Sequence, residues 1–176
     1  MNNIYNLLKL KNANRTSESR VRYLREKGCK IGDKTRLLCP ISSFGTEPYL
    51  IEIGEDCLLS GNLSFFTHDG GVKVLNSLGY FGAEKMDKVG RIIVGNNCFI
   101  GHGAKIMSGV TIGDNVIVGT GAIVTKDIPS NSVAVGIPAK VICTVDEFYQ
   151  KNKEKFLPTC GMSAQEKKKY LTENLK

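Results

Sequence analysis

Along residues 94–124 the aliphatic positions recur every six residues. Val94, Ile100, Ile106, Ile112, Val118 and Val124 hold that spacing without a gap. Two positions before each later member stands a second small or β-branched residue: Cys98, Ala104, Val110, Val116 and Ala122. Gly95, Gly101, Gly113 and Gly119 directly follow four of the six. A period of six is neither the helix period nor strand alternation, so the stretch is an internal repeat of hexapeptides.

Each hexapeptide predicts a short strand and a turn. The β-branched residue suits a pleated, buried surface, and the following Gly or Asn relieves the turn. Three hexapeptides make a triangular coil of eighteen residues. Successive coils stack at the inter-strand distance of ~4.8 Å. Val94 is then expected beneath Ile112, Ile100 beneath Val118, and Ile106 beneath Val124. The expected fold is an all-β solenoid, a parallel β-helix. A buried α-helix is a poor alternative, because regularly spaced glycines would weaken it.

Elsewhere the period is less regular. It begins weakly at Ile31 and Gly32, breaks over residues 39–49, and resumes through Ile53, Leu59 and Phe65. From Phe65 to Val94 is 29 residues, which is not a multiple of six. Residues 69–90 are therefore expected as a loop ejected from the coil, starting directly after His68. Long loops inside compact repeats are often functional. Residues 1–28 are expected as a helical cap, with Ile4, Leu7 and Leu8 in one turn and a helix from Thr16 or Ser17 to Gly28. Residues 132–142 are expected as a last irregular coil. Capping-box patterns at 144–147 and 163–166 predict helices over 145–156 and 164–175. The domain reading is a cap over 1–28, a β-helix over 29–144 and a helical tail over 145–176.

Composition narrows the picture only slightly. The chain of 176 residues suits one domain with a real core. A net charge of +7 permits an anionic ligand without identifying one. No apolar stretch reaches membrane-spanning length and no signal pattern opens the chain, so a cytoplasmic protein is expected. The six cysteines show no CxxC pair, and Cys57 and Cys98 occupy small-residue slots of the repeat. Buried, reduced thiols are expected there.

Three segments carry a family resemblance: FFTHDGG (65–71), IIVGNNCFIGHGAKIMSGVTIGDNVIVGTGAIVTKDIP (92–129) and VGIPAKVI (135–142). On these the chain resembles the hexapeptide-repeat acyltransferases, and within them the polysaccharide and sugar O-acetyltransferases. The resemblance implies a left-handed β-helix, a homotrimer, and acetyl-CoA bound in a groove between neighbouring subunits.

Acyl transfer from a thioester to a hydroxyl needs a base, donors for the oxyanion and a groove for the donor. The chain has two histidines, His68 and His102. His68 matches the family's catalytic base, and a neutral imidazole can take a proton near neutral pH. Asp69 either approaches the substrate or orients the ring, or it simply starts the loop. Asn62, one hexapeptide earlier, either lines the same pocket or is an ordinary turn residue. His102 lies in a turn, where the family lines its donor groove. Gly101 and Gly119 are eighteen apart and expected to stack, opening the backbone to a pantetheine arm. By family match Thr120, Thr125 and Lys126 continue that edge, and Lys126 and Lys140 are expected near the phosphates of CoA.

Other readings use the same fold. A zinc enzyme would need three histidines, and this chain has two, 34 residues apart. A non-enzymatic scaffold would leave His68 and its glycine-rich loop without a role. The acceptor stays open between a saccharide, a nucleotide-sugar amine, serine and an antibiotic.

Overall fold

A computed structural model of the chain describes residues 9–175. The chain divides into two units, Met1–Val145 and Asp146–Lys176. In the first, the strands are β1 (Lys30–Ile31), β2 (Arg36–Leu37), β3 (Ile51–Ile53), β4 (Leu58–Leu59), β5 (Ser64–Phe65), β6 (Ile92–Val94) and β7 (Phe99–Ile100). They continue with β8 (Lys105–Ile106), β9 (Thr111–Ile112), β10 (Ile117–Val118), β11 (Ile123–Val124), β12 (Ser132–Val135) and β13 (Lys140–Thr144).

The strands assemble into three sheets. One runs β1-β3-β6-β9, the second β2-β4-β7-β10-β12-β13, and the third β5-β8-β11. From β3 to β11 the chain visits the three sheets in rotation, and every pairing among these strands is parallel. Val94 pairs with Ile112, Ile100 with Val118, and Ile106 with Val124. These are the registers that the six-residue period predicts. The register also survives the ejected loop, since Ile53 pairs with Val94 and Phe65 with Ile106.

The column residues point inward. Ile100, Ile106, Ile112 and Val118 are fully buried, and Ala104, Val116 and Ala122 fill the space between them. Burying each large aliphatic side chain contributes roughly 1.5–3 kcal/mol. The glycines after the column residues have a different reason from the expected turn relief. A Cβ on Gly101 would lie 2.6 Å from the backbone of Gly119 and Thr120. The coils pass too close for a side chain. The left-handed backbone falls two positions later, at Asn97 and Asn115, with φ of 52° and 55°. Asn tolerates that region better than most residues. The Asn97 amide donates to Asn115 at 2.8 Å, and Asn115 to Asn131 at 2.9 Å.

Both ends of the stack are covered. Helix α1 (Ser17–Glu26) is capped reciprocally by Thr16 and Ser19 and buries Leu24. Arg20 donates to the Leu37 carbonyl at 2.8 Å, and Arg25 to the Ile31 carbonyl at 2.9 Å. These arginines satisfy strand carbonyls that have no preceding coil. Ile4, Leu7 and Leu8 lie outside the described residues. At the other end, residues 132–142 do not form the irregular coil expected of them. The chain reverses after Gly136, whose φ is +99°, and β13 runs antiparallel to β12. The peptide between Ile137 and Pro138 is cis.

Residues 69–90 leave the coil but are not structureless. They contain a short helix, α2 (Val72–Ser77). The Gly90 amide donates to the Thr67 carbonyl and the Asp69 amide to the Lys88 carbonyl, each at 2.8 Å. His68 and Val89 form an antiparallel bridge between them. Cys57 and Cys98 are buried free thiols. Burial pushes Cys29 up to about 12 and Cys39 up to about 11.

Most of α3 (Val145–Asn152) belongs to the second unit, which also contains α4 (Ala164–Asn174). Ser163 and Glu166 cap α4 reciprocally. The rings of Tyr149 and Phe156 stack with centroids 6.3 Å apart. Among the described residues no helix is long and apolar enough to cross a membrane.

Candidate active site

His68 stands where the chain leaves the coil. Phe65 ends β5 facing inward against Phe44, their ring centroids 5.1 Å apart. Thr67 is buried and His68 is half exposed. The His68 Nδ1 atom lies 3.0 Å from Glu47 Oε2. That oxygen also accepts the Thr67 hydroxyl at 2.7 Å, while Glu47 Oε1 accepts the Thr46 hydroxyl at 2.6 Å. These bonds from Thr46, Thr67 and His68 lower the Glu47 carboxyl to about 2. An ionised carboxylate only accepts hydrogen bonds, so Nδ1 carries the hydrogen, and in the neutral form of the ring the lone pair is then on Nε2.

Glu47, the partner of the His68 ring, is the candidate residue that sequence reasoning missed. It lies in the irregular stretch 39–49, between single 3₁₀ turns at Ile41–Phe44 and Pro48–Leu50. Asp69 does not hold the ring. Its carboxylate takes the Lys88 ammonium at 2.9 Å and the Gly71 amide at 2.9 Å. Lys88 first, then that amide, lower its pKa. Asp69 thus ties the loop's departing limb to its returning limb.

A cavity of about 420 Å³ opens beside His68. Lys73, Asn76, Lys85 and Asp87 of the loop line it with His68 and Asp69. This size suits a small ligand. A larger cavity of about 570 Å³ lies between α1 and the first coil, far in sequence from either histidine.

Asn62 is not among the residues lining the His68 cavity. It belongs to a different corner of the triangle, between β4 and β5. The next coil puts His102 at that corner, and the one after puts Thr120 there. The Asn62 Nδ2 atom lies 3.1 Å from His102 Nε2. An amide nitrogen donates, so His102 Nε2 is the acceptor of this pair. Gly101 and Gly119 sit at the same corner, where the following coil occupies the space of their missing side chains. Thr125 and Lys126 occupy the exposed corner after β11. The Ala139 amide donates to Ile123 at 2.8 Å, which brings the segment of Lys140 alongside β11. Among the described residues neither Lys126 nor Lys140 has an ion-pair partner.

A parallel stack of hexapeptide coils with a carboxylate-paired histidine at the mouth of its loop has the parts of an acyl-transfer enzyme. Comparison with known proteins agrees. Residues 91–126 match the bacterial transferase hexapeptide family, described as six repeats. The protein CapG of Staphylococcus aureus is 41% identical over 161 residues, 91% of this chain and 90% of CapG. The galactoside O-acetyltransferase of Escherichia coli K12 is 37% identical over 106 residues, 57% of this chain and 47% of that enzyme. The solved maltose O-acetyltransferase of Clostridium difficile 630 superposes with a TM-score of 0.54 at 28% identity, covering 80% of this chain and 84% of its own. The chain belongs to the hexapeptide-repeat acyltransferases, on the branch of the sugar O-acetyltransferases, and is an acyltransferase.

Proposed function

We propose that the enzyme moves an acetyl group from acetyl-CoA to a hydroxyl of a saccharide acceptor, with His68 as general base. The observation that carries this reading is the Glu47–His68 pair at the loop cavity, where His68 Nε2 has no hydrogen-bond partner among the described residues. Acetyl-CoA supplies the acetyl group on a thioester whose thiol is a good leaving group. Glu47 holds the ring and its tautomer. His68 takes the proton from the acceptor hydroxyl as that oxygen attacks, then returns it to the departing sulfur, so no net proton is gained or lost. The exposed, uncommitted Lys126 and Lys140 suit the phosphates of the donor.

The same reading makes the coil left-handed and the protein a trimer. His68 and the Asn62–His102 pair stand at different corners of one chain. A neighbouring subunit would bring one corner to the other, so that Asn62 binds the acceptor while His102, Gly101, Gly119, Thr120 and Thr125 border the donor groove. The names of the relatives support an O-linked sugar product. Release of free thiol from acetyl-CoA, with a panel of saccharides, tests the reading. Thiol release with none of them, but with serine or an amino sugar, would replace it.

A further inference from the structure

The loop cavity carries charge that proton transfer does not use. Lys73 and Lys85 both line it, on opposite limbs of the loop, with exposed side chains. Among the described residues neither side-chain ammonium group makes a hydrogen bond or an ion pair. Lys88, three residues after Lys85, is by contrast committed to Asp69 at 2.9 Å. That bond and the Gly71 amide occupy Asp69, so among the described residues Asp87 is the cavity's one uncommitted carboxylate. Two ammonium groups against one carboxylate favour an anion.

The limbs bearing the two lysines are fastened together. The Asn76 amide donates to the Met86 carbonyl at 2.8 Å and accepts from the Met86 amide at 3.0 Å. This pair joins α2 to the residue directly after Lys85. The two lysines are therefore held on one frame, and both open on the space that His68 faces. Loop geometry and charge together describe a binding wall for a substituent beside the reacting hydroxyl.

We propose that the cavity holds an anion subsite for the acceptor: Lys73 and Lys85 bind a phosphate or carboxylate on the saccharide while its hydroxyl meets His68 Nε2. The inference rests on the reading of His68 as the base of an acetyltransferase. The shared chemistry is a negatively charged sugar, either esterified to phosphate or oxidised to a uronate. A neutral sugar would leave both ammonium groups without a partner. Because the lysines are exposed, the attraction weakens as salt screens it.

Calorimetric titration of the full-length protein tests this with UDP-N-acetylglucosamine, glucuronate and maltose as probes. One charged probe should bind at least about tenfold more tightly than maltose, and the preferred one separates phosphate from carboxylate. The Lys73→Gln/Lys85→Gln variant should lose that preference, while Lys73→Arg/Lys85→Arg keeps it. Its KM for acetyl-CoA should stay unchanged. Failure of both charged probes to bind, equal binding of maltose, or undiminished binding in the glutamine variant would overturn the subsite. Lysine-dependent anion binding without acetyl transfer to any saccharide would instead overturn the proposed function and leave the subsite standing.

Discussion

Glu47 and His68 are 21 residues apart in sequence and 3.0 Å apart at the loop mouth. The carboxylate is fixed from three directions, because the hydroxyls of Thr46 and Thr67 also donate to it. It can therefore hold the ring in one orientation, with Nδ1 protonated and Nε2 facing outward. A ring without this partner would sample both tautomers, and one of them cannot accept a proton at Nε2.

Replacing Glu47 by Gln should separate orientation from packing. A glutamine amide can donate to Nδ1, which places the hydrogen on Nε2 and disables the base. Turnover should fall by up to the ~10²–10⁴-fold that a positioned base contributes. KM for acetyl-CoA should barely change, as should the circular dichroism spectrum. Full turnover in Glu47→Gln would show that the pair is structural.

The same carboxylate predicts an acid response. Its folded pKa of about 2 lies below the ordinary 4.5. The folded state thus binds this proton less readily than the unfolded chain does. The stability that Glu47 contributes is complete above the unfolded value and is lost as pH falls through the folded one. The difference in Tm between the parent and Glu47→Gln should shrink as pH drops from about 5 to about 2. A difference that stays constant through that window would remove the carboxylate as its source.

The inner columns were legible because burial forces one spacing on every coil, so Ile100, Val118 and their neighbours announce the register. Glu47 was not legible, because its contact crosses a stretch where the period fails and no spacing links it to His68. The helix α2 was hidden by the glycines around it. The glycines of the repeat were visible, yet their cause was misread. Sequence alone does not separate a position that needs a left-handed backbone from one where two backbones come close.

That difference has a test in Gly101 and Gly103. A Cβ on Gly101 would press on the backbone of the next coil, whereas one on Gly103 meets nothing within 4 Å. Gly103 instead has a φ of +70°. Gly101→Ala should destabilise by about 1–3 kcal/mol through overpacking. Gly103→Ala should lose roughly 1–2 kcal/mol through backbone strain. Gly103→Asn should recover part of that loss, and Gly101→Asn should recover none. Denaturant midpoints of the four variants measure this, and recovery at Gly101 would contradict the stacking explanation.

The two histidines should fail in different ways. His68 is half exposed and belongs to no inner column, so His68→Ala should leave Tm and CoA binding nearly unchanged. Its turnover should drop by ~10²–10⁴-fold. His68→Asn keeps a polar group against Glu47 but supplies no base, and should be almost as inactive. His102 is held at Nε2 by Asn62 and stands at another corner of the same chain. His102→Ala should therefore act mainly on KM for acetyl-CoA. Steady-state kinetics with the acetyl donor varied at saturating acceptor distinguish the two. If His102→Ala abolished turnover while His68→Ala kept it, the base would be His102, and its Nε2 would have to leave Asn62 to act.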